Sequence, residues 1–292
     1  MKIQKSFEKE NEDKGIIYVV PTPIGNLEDI TFRSLKILKE ATIIAAEDTR
    51  NTRNLLNHFD IHTPLLSYHE HNKDAREAQL MERLEKGDKI ALVSDAGMPA
   101  ISDPGYELVQ AAINADQAVV VLPGANAALC ALVGSGLPTD EFIFYGFLPR
   151  KKKDKALELT RLKSLPSTMI FYESPHRLKD TLQVFYDQLG ERNAVIAREL
   201  TKRFEEYVRG TISELLAWAE NHELKGEFCL VLEGNHESEQ QGDTLWWSHL
   251  SVDDHVTHYM EKQEISSKEA IKLVATDRKM AKREVYQMFH RK

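Results

Sequence analysis

Carboxylates and cations recur side by side at three points of the chain. Glu47 and Asp48 precede Arg50, Glu173 lies four residues before Arg177, and Arg198, Glu199, Lys202 and Arg203 share one short segment. A carboxylate can take a proton from a weakly acidic group, and a neighbouring cation can help that proton leave or can hold a phosphate. The same residues serve equally well as salt bridges or helix caps, and their types alone leave both readings open. His69, Glu70 and His71 are metal-ligating types, but their i, i+2 spacing directly after Leu65-Leu66-Ser67 predicts a loop, and no metal is expected.

A second group of segments offers backbone instead of side chains. Pro21-Thr22-Pro23-Ile24-Gly25-Asn26, the run from Ser94 to Gly105, Pro123-Gly124-Ala125-Asn126 and Glu173-Ser174-Pro175-His176-Arg177 each follow a short apolar run. None matches G-x-G-x-x-G or G-x-x-x-x-G-K-[ST], which excludes the usual dinucleotide and P-loop phosphate cradles. Small residues and prolines build stiff turns whose N–H and C=O groups can approach a ligand closely. Four such turns at strand ends predict a small-molecule cleft, because open α/β sheets bind ligands at the carboxyl ends of their strands.

The elements that position these turns alternate. Strands are expected at Ile16–Val20, Thr42–Ala46, Lys89–Val93, Ala118–Leu122 and Phe142–Tyr145, with helices between them, and this pattern predicts a parallel sheet covered on both faces. The second half continues with strands at Thr168–Tyr172, Ala194–Arg198, Glu205–Arg209 and Phe228–Leu232, again separated by helices. The reading divides the chain into a charged tail (1–14), an N-terminal α/β domain (15–148), a second α/β domain (149–234), a polar linker (235–243) and a small basic helical module (244–292). In that module Ser266 and Glu269 form a capping box ahead of Ala270, Ile271, Val274 and Ala275, and a second helix carries Met280, Val285, Met288 and Phe289.

Composition narrows the class. The 292 residues are 42% hydrophobic and 29% charged, as expected of a globular chain and not of a disordered or fibrous one. Cys130 and Cys229 lie far apart in apolar surroundings, which fits a reducing cytoplasm and provides neither a disulfide framework nor a cysteine zinc site. Met1 to Lys14 is charged throughout, so no signal peptide is expected. The uncharged stretch from Ala118 to Thr139 is broken by Pro123, Gly124, Gly134 and Gly136, and is not read as a membrane span.

The order of several segments resembles the tetrapyrrole methylase superfamily of S-adenosylmethionine-dependent methyltransferases. Within it the resemblance is to the bacterial branch that methylates the ribose 2'-hydroxyl of a cytidine in 16S rRNA. It covers about Ile16 to Gly234. It rests on the stretch from Val20 to Leu27, on Ala46-Glu47-Asp48-Thr49-Arg50, and on Ser94 to Gly105. Gly146-Phe147-Leu148-Pro149-Arg150, Tyr172 to Arg177, Arg198 to Lys202 and Lys225-Gly226-Glu227-Phe228 extend it. The resemblance implies two α/β domains with S-adenosylmethionine in the cleft between them, and a homodimer acting on the small ribosomal subunit. Tetrapyrrole C-methylases begin with Gly-x-Gly-Pro-Gly where this chain has Pro21-Thr22-Pro23-Ile24-Gly25, which disfavours a porphyrinoid substrate. Two alternatives remain on the sequence: a tetrapyrrole C-methyltransferase, and a non-catalytic RNA-binding assembly factor. The second would be betrayed by damaged cofactor turns, and Ser94 to Gly105 is intact.

The resemblance also implies a site. Asp95, Ala96, Gly97, Met98, Ile101 and Ser102, with Pro23 from the first turn, would hold the cofactor, largely through backbone. Pro123 and Gly124, Tyr172, Glu173 and Ser174, and Gly226, Glu227 and Phe228 would complete the pocket. Plain turn chemistry accounts for Gly97, Gly124 and Gly226 equally well. Glu47, Asp48 and Glu173 are the carboxylates that could act in catalysis, and Arg50 and Lys202 the cations that could touch phosphate or substrate oxygen.

Net charge locates a nucleic-acid partner. The total is -8, from 38 basic and 46 acidic side chains, and it seems to oppose RNA binding. The excess acid belongs to residues 15–148, with 18 acidic and 10 basic side chains, whereas Ile265 to Lys292 holds 8 basic and 3 acidic. Arg150, Lys151, Lys152 and Lys153 form a run that could be a solvated linker or a substrate contact. With Lys279, Lys282 and Arg283 they are the expected RNA-binding residues.

Overall fold

A computed structural model describes residues 3–4, 15–235, 247 and 249–290. The chain divides into two compact units, 1–234 and 235–292.

The first unit opens with β1 (Ile16–Val19), α1 (Phe32–Glu40), β2 (Ile43–Ala46), α2 (Thr49–His58), β3 (Leu65–Ser67), α3 (Lys73–Glu85), β4 (Lys89–Val93), α4 (Tyr106–Asn114) and β5 (Ala118–Val121). These strands form one parallel sheet in the order β3-β2-β4-β1-β5, with Ile17 in register with Ile90 and Val119. Both faces are covered, so the strands are apolar on both sides and not alternating. Ile16 and Val20 pack with Ile37, Leu38 and Leu56 on one face; Ile17 and Val19 pack with Leu80, Leu84, Leu108 and Ala112 on the other. Gln4 exchanges side-chain hydrogen bonds with the backbone N–H and C=O of Val119, covering part of the exposed edge of β5.

The second sheet is built from β6 (Phe142–Phe147), β7 (Thr168–Glu173), β8 (Asn193–Arg198), β9 (Glu206–Thr211) and β10 (Phe228–Leu232). Its order is β6-β7-β10-β8-β9; of its neighbouring pairs only β6 and β7 are parallel. The turn at 199–205 is too short for a crossover, so β8 and β9 must pair antiparallel. Helix α5 (Ala127–Ser135) covers one face, where Ala128, Ala131 and Leu132 meet Ile170, Val195 and Val231. Helices α6 (Lys152–Leu162), α7 (Leu178–Leu189) and α8 (Ile212–Asn221) cover the other with Leu159, Leu182, Phe185 and Leu215.

Three sequence expectations change. The strand expected at Phe142–Tyr145 to complete the first sheet is β6 (Phe142–Phe147), which pairs with β7, and α5 packs on the same second sheet. The sheets therefore change between β5 and β6, upstream of the basic segment. Leu65–Ser67, absent from the expected strands, is an edge strand on β2. The basic segment is not a free linker: Lys151 stands at the N-cap of α6 and Lys155 is buried.

The second unit has three helices among its described residues, α9 (Val252–Gln263), α10 (Ser267–Asp277) and α11 (Lys282–His290), where two were expected. The Ser266–Glu269 capping box forms at the start of α10. Val256, Ala270, Ile271, Val274, Ala275 and Val285 make its core. Fully buried His255 stacks between Trp247 and Tyr259, and its Nδ1 accepts from Arg278 Nε at 3.2 Å. The expected charged tail lies outside the described residues except for Ile3 and Gln4, and the linker except for Asn235. Among the described residues no helix is long and apolar enough to cross a membrane.

Candidate active site

The carboxyl ends of β1, β4 and β7 open into one cavity of about 330 Å³, within the roughly 300–1,000 Å³ usual for small-molecule sites. Its wall on the first-sheet side is the turn after β4. Ala96, Gly97, Met98, Ile101 and Ser102 all line it, joined by Ile24 from the first turn. Thr22 and Gly97 tie the two turns together through an isolated antiparallel bridge, and the Thr22 hydroxyl donates to Ser94 O at 3.2 Å. Gly97 has a φ of +81°, and a Cβ there would lie 3.1 Å from Ile24 Cγ2, so both the conformation and the packing call for glycine.

The opposite wall comes from the second sheet. Tyr172, Glu173 and Ser174 at the end of β7 line it, with Gly226, Glu227 and Phe228 at the start of β10. The antiparallel pairing of β7 and β10 sets Phe228 opposite Glu173, which brings these two segments together. Phe147 is half exposed at the mouth and makes an edge contact with Tyr172, with ring centroids 5.6 Å apart.

Four of the expected cofactor residues are placed differently from the rest. Pro123 and Gly124 lie outside the walls of this cavity. A Cβ on Gly124 would come within 2.6 Å of Pro21 Cβ, so this glycine is there for close packing of two turns. Pro23 and Asp95 line a neighbouring pocket with Asn51, Thr52 and Asn54. The Asp95 carboxylate accepts from Asp48 N and Asn51 Nδ2, both at 3.0 Å.

The catalytic expectations separate clearly. Asp48 is the N-cap of α2 and accepts from Arg50 N at 2.8 Å; Arg50 Nη2 reaches its Oδ2 at 2.6 Å. The side-chain hydrogen bond from Arg50 holds the Asp48 carboxyl at about 2, far too low for a proton acceptor at neutral pH. Lys202 donates to Glu199 Oε1 and Glu227 Oε2, both at 2.9 Å, and these bonds outweigh the cost of its burial and raise its pKa. Its charge is matched within the protein, and it is not a free phosphate ligand.

Glu173 has a side chain 1% exposed and sits in a buried network. Its Oε1 accepts from Ser174 N at 2.8 Å and faces Arg177 Nε at 3.3 Å, while Oε2 accepts from Thr181 Oγ1 at 2.7 Å. Thr181 in turn accepts from buried Lys155 Nζ at 3.0 Å, and Arg177 Nη2 donates to Leu148 O at 2.7 Å. Burial lowers the pKa of Lys155, against the pull of Glu173. This carboxylate is a structural hub of the cavity wall.

Glu47 lines a third pocket of about 520 Å³ with His69, His71, Ser102 and Asp103. Burial raises the pKa of Glu47, and the charges of Asp95 and Asp48 add to the rise. Asp103, which sequence reasoning passed over, lines both this pocket and the main cavity. Burial, with repulsion from Glu47, pushes its carboxyl up to about 6. Its one sequence signal was its place inside the Ser94–Gly105 segment. Arg150 to Lys153 and Lys279, Lys282 and Arg283 are exposed. No group of three or more His, Cys, Asp or Glu residues suited to a metal occurs among the described residues.

A parallel and a mixed α/β sheet that enclose one cleft between their strand ends define a class. The pattern of the Tetrapyrrole (Corrin/Porphyrin) Methylases matches residues 16–216, and the chain belongs to that family. Over nearly its whole length it is similar to proteins of a single name, Ribosomal RNA small subunit methyltransferase I. The one from Halalkalibacterium halodurans is 56% identical over 290 residues, covering 99% of both chains; the one from Bacillus subtilis is 53% identical, covering 98% of both. The fold is shared with the methyltransferase CobJ (TM-score 0.58, 18% identity, 75% of this chain and 94% of that one). It is also shared with the uroporphyrin-III C-methyltransferase of Thermus thermophilus complexed with S-adenosylhomocysteine (TM-score 0.53, 17% identity, 74% of this chain and 97% of that one).

Proposed function

We propose that the protein transfers a methyl group from S-adenosylmethionine to the ribose 2'-hydroxyl of a cytidine in the 16S rRNA of the small ribosomal subunit, as a cytoplasmic homodimer. The observation that carries this reading is the cleft walled by Ala96–Met98, Ile101 and Ser102 and by the end of β7 and the start of β10, in a chain similar throughout to small-subunit rRNA methyltransferases. Its lining suits the cofactor. Ile24, Met98, Ile101, Leu200 and Phe228 offer apolar surface to an adenosyl group, and the turn at 96–98 offers backbone donors and acceptors.

The cofactor supplies an activated methyl group, and the protein supplies alignment and proton handling. Arg50, exposed in the first turn of α2 and paired with Asp48, is the cation this reading assigns to a substrate phosphate, which would have to share it with that carboxylate. The basic run at 150–153 and the face bearing Lys279, Lys282 and Arg283 supply sequence-independent attraction for RNA. Methylating an rRNA ribose demands that the nucleotide be splayed out of its helix, as RNA readers generally require.

The test is direct. Calorimetry with S-adenosylhomocysteine should show binding, and labelled cofactor incubated with small subunits lacking this methylation should mark one ribose in the 16S rRNA. Label entering a porphyrinoid and not the subunit would favour the C-methyltransferase alternative. Cofactor or RNA binding without transfer would favour an assembly factor.

A further inference from the structure

We propose that Phe204, on the turn between β8 and β9, is a platform on which an unpaired base of the substrate RNA stacks, with Arg203 beside it to meet that nucleotide's phosphate. The inference rests on the rRNA-methylation reading and names a surface that would hold the RNA strand beside the cleft.

Exposure is the first argument. Phe204 is 69% exposed, a large apolar ring left in water. Its neighbour Arg203, also exposed, sets its guanidinium carbon 5.6 Å from the ring centroid, within reach of a cation–π contact. Among the described residues it is the one exposed Phe, Tyr or Trp with a guanidinium over its ring. The charges of the segment divide in the same way. Arg198 pairs with Glu206 and Lys202 with Glu199 and Glu227, whereas Arg203 has no carboxylate partner among the described residues. An aromatic face beside a cation that no carboxylate neutralises is the pairing by which proteins hold single-stranded RNA.

Rigidity is the second argument. Glu199 and Thr201 have φ values of +50° and +65°, in the left-handed region that non-glycine residues avoid. Such strain persists where surrounding contacts fix it. Here Thr201 N donates to Glu205 Oε2 at 2.7 Å, Glu205 N to Lys202 O at 3.0 Å and Glu199 N to Glu227 O at 3.1 Å. Gly25, in the turn after β1, packs against the same segment: a Cβ there would lie 2.9 Å from Thr201 Oγ1 and would meet Lys202 Cγ. A ring carried on backbone that is already fixed loses little freedom when a base settles on it.

Continuity with the cleft is the third argument. Leu200, in the same turn, is buried in the wall of the main cavity. Phe204 stands four residues further on, at most about 14 Å of chain. One RNA strand can therefore present a ribose at the cavity and rest a nearby base on Phe204, which keeps that base from restacking. Stacking reads no base edge, so this contact holds the strand and does not choose the cytidine.

The test uses the whole protein and small subunits lacking the methyl group, with Phe204→Ala, Phe204→Leu, Phe204→Trp and Arg203→Ala beside wild type. Calorimetry should find the same affinity for S-adenosylhomocysteine in all of them, because neither side chain lines the cavity. Phe204→Ala and Phe204→Leu should both raise KM for subunits about 5- to 150-fold, as the loss of one stacked base would, with kcat within about twofold of wild type. Phe204→Trp should keep the wild-type KM, and its added indole emission should be quenched when subunits bind. The slope of log affinity against log salt should flatten by about one in Arg203→Ala and stay unchanged in Phe204→Ala. Phe204→Ala or Phe204→Leu with the wild-type KM overturns the proposal; in the second case apolar bulk alone suffices, as it would against a protein surface. A Phe204→Ala protein that sediments as a smaller oligomer also overturns it, since a second copy would then cover the ring. If the alanine and leucine variants do not fold, an unquenched Phe204→Trp overturns it. A wild type that binds cofactor yet labels no subunit defeats the methyl-transfer reading instead, a result distinct from any of these.

Discussion

Thr22 and Gly97 exchange both backbone hydrogen bonds, each N–H donating to the other's carbonyl at 3.0 Å. This one bridge fastens the turn after β1 to the turn after β4, so the first-sheet side of the cavity behaves as a single wall.

Gly97→Ala tests that wall. The new methyl group meets Ile24, and a φ of +81° is unfavourable for alanine, at a cost of about 1–2 kcal/mol. Affinity for S-adenosylhomocysteine should fall about tenfold or more by calorimetry, with the far-ultraviolet dichroism spectrum unchanged.

Asp103 should also be visible in stability. Its folded-state pKa, about 6, stands above the ordinary carboxylate value, so the folded protein holds this proton more tightly than the unfolded chain. Stability from this group is present at pH 4 and is lost as pH rises through 6. Asp103→Asn should therefore raise the melting temperature at pH 8 by a few degrees, on the order of 1 kcal/mol, and leave it unchanged at pH 4. An equal effect at both pH values would contradict the raised pKa.

The basic run should split into two behaviours. Lys155→Met removes a buried donor to Thr181, leaves the network around Glu173 incomplete, and should cost about 1–3 kcal/mol in denaturant unfolding. Lys152→Glu and Lys153→Glu are exposed changes near the start of α6 and should alter stability by less than about 0.5 kcal/mol. These two should instead weaken RNA binding.

Arg50→Ala should spare cofactor affinity and stability, since its ion pair with Asp48 is exposed. Methylation of small subunits should fall at least tenfold, read with labelled cofactor. Equal activity would remove Arg50 from the substrate path.

Reversing charge at Lys279, Lys282 and Arg283 together should weaken subunit binding. The slope of log affinity against log salt should flatten by up to about 3, one for each phosphate no longer neutralised. An unchanged slope would place the RNA elsewhere.

Much of the cleft was legible because stiff turns after apolar runs carry their own signature. Ala96–Met98, Ile101 and Ser102, Tyr172–Ser174 and Gly226–Phe228 do meet in one cavity. Pro123-Gly124 looked the same in sequence, yet Gly124 is needed by Pro21; a missing side chain does not say which neighbour required its absence. The run Phe142–Phe147 reads as a strand, but which sheet it joins is decided by distant pairing with β7. Lys155 could have been caught: it shares one helical face with Leu159 and Leu162, at i, i+4 and i+7. The basic run around it masked that spacing. Asp103 could not, since its perturbation comes from burial first and then from Glu47, which β2 and β4 bring close by lying side by side.

The turns at the opposite ends of the strands supply none of the cavity walls: 86–88 before β4, 116–117 before β5 and 190–192 before β8. At Gly190 the space around a would-be side chain is empty to 4 Å. The cavity thus occupies one rim, and a reporter peptide spliced between Gly190 and Arg192 would sit away from it, at the cost of the hydrogen bonds that Glu191 accepts from Ser213.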